Sequence, residues 1–159
     1  MLTKIKLLTG ALFGAGLSPK APGTVGSLLT LPVIYITVLL FPLYGILILL
    51  LLTVILSLWS APAAVEKFGE DPPQFVMDES AGQTLTFVAA FAAHHLSASF
   101  TLLTVGFILF RLFDILKPLG INRLQNLHGP AGILADDLLA GVYALICLEI
   151  LIRFTPLLS

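Results

Sequence analysis

The chain has 159 residues, 58% of them hydrophobic and 11% charged, with a mean hydropathy of +1.05. Soluble domains carry about 25% charged residues, so the composition points to a membrane protein. The net charge of −1 gives no sign of a nucleic-acid partner, and the single cysteine, Cys147, excludes an intrachain disulfide framework or a Cys-type metal site.

Residues 2–13 form a short amphipathic stretch with Lys4 and Lys6, suited to lying in the interface against anionic lipid. The first 30 residues lack the compact apolar core and cleavage site of a signal peptide. Residues 17–27, with two prolines and two glycines, read as a loop. Residues 21–65 contain no charged side chain. A spanning helix needs roughly 20 apolar residues, so this stretch holds two: residues 25–41, with a kink expected at Pro32, and residues 43–65 beyond Pro42. Residues 66–77, with Pro72 and Pro73, form a polar loop. Asp78 and Glu79 then open an apolar segment, residues 81–93, too short to span alone if straight. His94 and His95 lie at its tip, as interfacial polar residues. Residues 96–117 return as a longer helix stopped by Pro118 and Gly120. A second polar loop, residues 121–132, carries His128, either a solvated side chain or a general acid. Residues 136–154 are the last helix. The expectation is an all-α polytopic membrane bundle of about four to five membrane segments, preceded by the amphipathic helix, as one domain over residues 1–159.

With Lys4, Lys6 and Lys20 in the cytoplasm, five passages put Lys67, Arg111, Lys117 and Arg123 on the same side, leaving Arg153 outside. Eight of the nine acids fall on that face as well. The exception, Glu149, stands four residues before Arg153 and suits an i,i+4 ion pair.

An aspartate at a helix centre in lipid costs roughly 2.5–3.5 kcal/mol. Asp136 and Asp137 head the last helix, where the helix dipole tolerates them; read alone, they are an interfacial cap. They do not stand alone. Asp78-x-x-Ala81-Gly82 and Asp137-x-x-Ala140-Gly141 share one pattern, which sets acid and glycine on one helix face. Small residues permit close helix contact in lipid, so two acid-headed helices can pack with their carboxylates converging. Arg111, Asp114 and Lys117, spaced by three, form a polar stripe ending at the same membrane face, either a self-satisfied interfacial stripe or part of a site. Five converging acids, Asp78, Glu79, Asp114, Asp136 and Asp137, suit Mg²⁺, which takes oxygen ligands and binds carboxylates together with substrate phosphate. Arg111 and Lys117 supply positive charge for phosphate oxygens. At the start of the first long helix, Gly16, Gly23 and Gly26 with Ser18, Lys20, Thr24 and Ser27 can meet a phosphate, or form a plain turn and cap; the spacing is not that of a Walker loop.

The stretches "GAGLSPKAPGTVGSL", "VMDESAG", "FRLFDILKPLGI" and "GPAGILADDLLAGVYA" resemble the phosphatidylglycerophosphatase A family, in the same order over residues 14–144. The resemblance implies an all-α, Mg²⁺-dependent phosphatase of the bacterial inner membrane, which hydrolyses phosphatidylglycerophosphate to phosphatidylglycerol and inorganic phosphate. By the resemblance, Asp78, Glu79, Asp114, Asp136 and Asp137 form the catalytic centre. One departure is visible at Gln125, near which some members carry an aspartate.

The mechanism expected has catalytic Asp114, Arg111, Lys117 and Asp137, and substrate contacts from Ser18, Lys20, Thr24 and Ser27. The attacker is either a water acidified by the ion or a carboxylate such as Asp114. The substrate partner is a phospholipid with a terminal phosphate monoester, held at the cytoplasmic face. The alternative is a small cation channel or carrier using the acids as a permeation site, which calls for acids at mid-membrane depth. The signature motifs of CDP-alcohol phosphotransferases and of histidine-dependent lipid phosphatases are missing from the chain.

Overall fold

The computed structural model describes residues 1–42, 44–94, 96–118 and 130–155. Among them all regular structure is helical: α1 (Leu2–Gly10), a 3₁₀ segment (Leu12–Leu17), α2 (Pro22–Leu40), α3 (Gly45–Phe68), α4 (Met77–Thr86), a π turn (Ala89–Ala93), α5 (Phe100–Leu116) and α6 (Pro130–Phe154). α2, α3 and α6 are long and apolar enough to cross a bilayer. At 1.5 Å per residue, the 17 residues of α5 reach about 26 Å.

The boundaries follow local chemistry. α2 opens with Pro22 in its first turn, where a missing N–H costs nothing, and stops before Pro42. α3 ends at Gly69, whose φ of 96° is open to glycine. Ser99 caps α5 by accepting from the Leu102 N–H at 3.1 Å. Lys117 ends that helix with φ 44°, and Pro118 follows.

Two expectations are corrected. The first helix closes at Gly10 rather than at residue 13, and its inner face packs on α3, with Lys6 Nζ 5.3 Å above the Trp59 ring. The last helix begins at Pro130 rather than at Asp136. Asp136 and Asp137 therefore lie in its second turn, beyond the reach of the N-terminal dipole, and the interfacial-cap reading loses its support.

α4 is the axis of the bundle. It packs chiefly on α6, then on α3 and α2, and Ser80, Gln83, Thr84 and Thr86 are all buried. Its hydroxyls back-bond to the helix itself, Thr84 to the Ser80 carbonyl at 2.7 Å and Thr86 to the Gly82 carbonyl at 3.1 Å. The hydroxyls are thus satisfied away from water, whereas both polar atoms of the Gln83 side chain are enclosed with no partner among the described residues. The α4–α6 crossing is held by glycine. A Cβ on Gly82 would stand 2.5 Å from the Asp137 carbonyl oxygen, and one on Gly141 2.5 Å from that of Gly82. Only backbones stripped of side chains approach this closely. Beyond the crossing, Phe87 and Phe91 stack at 5.8 Å and are fully buried with Ile34, Leu102 and Leu148. At the end of that core, Glu149 takes a 2.8 Å contact from His94 and only a 3.9 Å one from Arg153. The expected i,i+4 pair is present, but His94 is the nearer partner. His95 lies outside the described residues.

Candidate active site

The first turn of α4, the second turn of α6, the last two turns of α5 and the loop after α3 meet at one end of the bundle around a cleft of about 340 Å³, with the start of α2 packed against Glu79. Six carboxyl groups line it (Asp71, Asp78, Glu79, Asp114, Asp136 and Asp137) against two cations, Arg111 and Lys117. The five acids singled out in the sequence come together here, and four of them, all but Glu79, are 9% exposed or less.

The cations tie down two of these acids. Arg111 Nη1 lies 2.7 Å from Asp114 Oδ2, one turn away on α5. Lys117 Nζ crosses to Asp136 Oδ2 at 2.6 Å, joining α5 to α6. The stripe of Arg111, Asp114 and Lys117 is thus satisfied within its own helix only in part: Arg111 and Asp114 pair with each other, and Lys117 leaves for α6. The remaining acids, Asp78, Glu79 and Asp137, offer oxygens that all lie within 4.8 Å of one another. Glu79 Oε2 is enclosed with no hydrogen-bond partner among the described residues. Burial, with the charge of Asp114 adding to it, pushes the Glu79 carboxyl up to about 7. Burial, and then the charge of Glu79, also raises Asp78. Asp137 in turn faces Asp78, Asp114 and Glu79. Three close carboxylates, two buried and one half-buried, with an orphaned oxygen and no ion pair to a cation among the described residues, suit a hard divalent ion, which prefers oxygen ligands and relieves their repulsion.

The start of α2 presses directly on this group. Gly23 leaves room for Glu79: a Cβ there would collide with Glu79 Oε1 and stand 3.4 Å from Arg111 Nη1. Ser27, buried one turn on, accepts from Arg111 Nη1 at 3.3 Å and donates to the Gly23 carbonyl at 2.9 Å. Of the four expected substrate contacts, Ser27 therefore reaches the cleft's arginine. Thr24 is half-buried on the same turn. Ser18 instead donates to the Lys20 carbonyl at 2.9 Å, and Lys20 is exposed. Neither lines the acidic cleft; Ser18 lines a neighbouring cavity. His128 and Gln125 lie outside the described residues.

Asp71 escaped the sequence reading. It sits before Pro72 and Pro73 with φ 48°, lines the cleft and acts electrostatically on Asp136. A lone acid in a polar loop reads as a solvated one. The two following prolines, which stiffen the loop, were the available signal.

A family model described as Phosphatidylglycerophosphatase A matches residues 8–152. A protein of Escherichia coli named Phosphatidylglycerophosphatase A is 34% identical over 133 residues, 82% of this chain and 73% of its own length. One of the same name from Haemophilus influenzae is 36% identical over 151 residues, 92% of this chain and 87% of its own. A Bacteroides thetaiotaomicron protein named "Putative phosphatidylinositol-3-phosphatase" is 35% identical over 150 residues, 92% of each chain. No solved structure matches the chain.

Proposed function

The chain belongs to the phosphatidylglycerophosphatase A family, and from that premise we propose that it is a Mg²⁺-dependent membrane phosphatase converting phosphatidylglycerophosphate to phosphatidylglycerol and inorganic phosphate at the cytoplasmic face. The observation that carries this reading is the acidic cleft: three mutually close carboxylates beside an arginine that has a donor to spare. Arg111 Nη1 is engaged by Asp114 and Ser27, while its Nε has no partner among the described residues.

In this reading Asp78, Glu79 and Asp137 hold the ion. When bound, it supplies positive charge to the phosphoryl oxygens and acidifies water beside them. Arg111, which lines the cleft, donates to a phosphoryl oxygen and orients the group; Asp114 and Ser27 fix the guanidinium for that task. Lys117, held by Asp136, adds charge at the cleft's edge. Water attacks phosphorus and the P–O bond to glycerol breaks, releasing phosphate. Phosphoryl transfer depends chiefly on such positioning and charge stabilisation. The cytoplasmic orientation rests on the alternation read from the sequence, which puts seven of the eight basic residues on one side and leaves Arg153 on the other. The transport alternative is not favoured, since family membership points to hydrolysis and the five acids gather at one end of the bundle.

The test is phosphate release by purified protein from phosphatidylglycerophosphate in detergent micelles. Activity should appear with Mg²⁺ and vanish with chelator. Equal release in both conditions would remove the ion from the mechanism, and no release in either would remove the activity.

A further inference from the structure

A second cavity, about 470 Å³ in volume, adjoins the acidic cleft. Pro73 lines both. The first turn of α2 separates them: Pro22 lines the outer cavity, while its neighbour Gly23 abuts Glu79 and Arg111 of the inner one. Gly16, Leu17, Ser18 and Gln74 complete most of the outer wall, and among the described residues none that lines it is charged. The two sides of this wall are joined tightly, since a Cβ on Gly16 would collide with the Gln74 carbonyl. Its rim is apolar and outward-facing. Leu17, in its lining, is 66% exposed; Phe13, four residues earlier in the chain, is 77% exposed and has φ 54° between Leu12 at 44° and Gly14 at 113°. A run of left-handed backbone at non-glycine residues costs of order 1–3 kcal/mol per residue and persists where its geometry is used.

A substrate whose terminal phosphate monoester lies among the acids must lead the rest of its length out of the cleft. The remainder of the lipid is a glycerol, a phosphodiester, and a diacylglycerol whose chains belong in the bilayer. A second anion is repelled by a wall of carboxylates and tolerated by a neutral one near a helix N-terminus. The chains need an apolar exit. The outer cavity offers both, one residue away.

We propose that the cavity bounded by Gly16–Ser18, Pro22 and Pro73–Gln74 is the subsite for the bridging glycerol phosphodiester of the lipid, with Leu17 and Phe13 guiding its acyl chains to the bilayer. This assignment rests on the phosphatase reading above. It makes the cavity the specificity element of the enzyme: the inner cleft recognises a phosphate monoester and Mg²⁺, and the outer one recognises what joins that monoester to lipid.

The test compares wild type with Leu17→Glu and Gln74→Glu, on opposite walls, using phosphatidylglycerophosphate in mixed micelles at a fixed detergent ratio. Each added charge opposes the phosphodiester without touching the acids. KM is expected to rise roughly ten-fold in each variant while kcat changes by less than about two-fold, the signature of lost uniform binding. Gln74→Lys should move KM the other way. If one glutamate variant does not fold, the other still decides. Unchanged KM in the folded variants, or a loss confined to kcat, overturns the subsite while leaving the phosphatase reading in place. A wild type without phosphate release overturns both.

Discussion

Asp137 carries a carboxyl group into a helix of leucine, alanine and isoleucine, is 5% exposed, and faces Asp78, Glu79 and Asp114. A purely structural acid there would be a poor choice, because burying like charges costs stability. Two effects of opposite sign are therefore expected from Asp137→Asn. Phosphate release should fall by about 100-fold or more, on the scale of losing one electrostatic contact to a transition state. The thermal midpoint of metal-free protein in detergent should hold or rise. A midpoint that falls along with activity would mark the residue as structural. Asp114→Asn should lose activity on a similar scale, since it frees Arg111 Nη1. Glu79 gives a pH dependence. Its carboxyl is pushed from an ordinary 4.5 up to about 7, so the folded protein holds that proton more tightly than the unfolded chain. The stability is fully present below the unfolded value and is lost as pH rises through the folded one. In chelator, the unfolding midpoint should be lower at about pH 7.5 than at about pH 5.5, Glu79→Gln should flatten that slope, and Mg²⁺ should restore the midpoint chiefly at the higher pH.

At the scale of elements, the α4–α6 crossing decides whether the acids meet. The repeated Asp-x-x-Ala-Gly pattern sets each glycine one turn below its acid, and the two backbones touch at those glycines. Gly141→Ala would bring a methyl group to 2.5 Å from the Gly82 carbonyl, against backbone that cannot swing aside. The helices must part, at a cost of about 1–3 kcal/mol. That separation also spreads Asp78 from Asp137. Activity should fall more than stability alone accounts for, and the apparent Mg²⁺ requirement should rise, as a titration of phosphate release against Mg²⁺ would read. A variant with a lower midpoint but an unchanged Mg²⁺ requirement would mean that the crossing does not set the site.

Across the whole molecule, successive segments run alternately toward and away from the acidic cleft. α2 leaves it at Gly23, α3 returns to Pro72, α4 leaves from Asp78 toward His94, α5 returns to Asp114, and α6 leaves from Asp137 toward Glu149. Three of these helices are long enough to cross a membrane by themselves. With the cleft at the cytoplasmic face, a cysteine placed at exposed Glu70 in a Cys147→Ala background should react with a membrane-impermeant maleimide in inverted vesicles and not in spheroplasts. Labelling in spheroplasts would reverse the proposed orientation.

Sequence alone determined the helical class, the apolar runs and the set of acids, because lipid demands long uncharged stretches and makes every interruption conspicuous. It also supplied the glycine–acid echo, since a four-residue spacing fixes a helix face. It misjudged the start of α6, where Pro130 begins a helix inside a stretch of loop-like composition, and so credited a dipole cap that the fold does not provide. Nor did it separate the acids by task. Only the tertiary structure decided that Lys117 reaches across to Asp136, that Arg111 holds Asp114, and that Asp78, Glu79 and Asp137 are grouped with no ion pair to a cation among the described residues. Those assignments depend on distances between helices, which side-chain packing sets and no local pattern records.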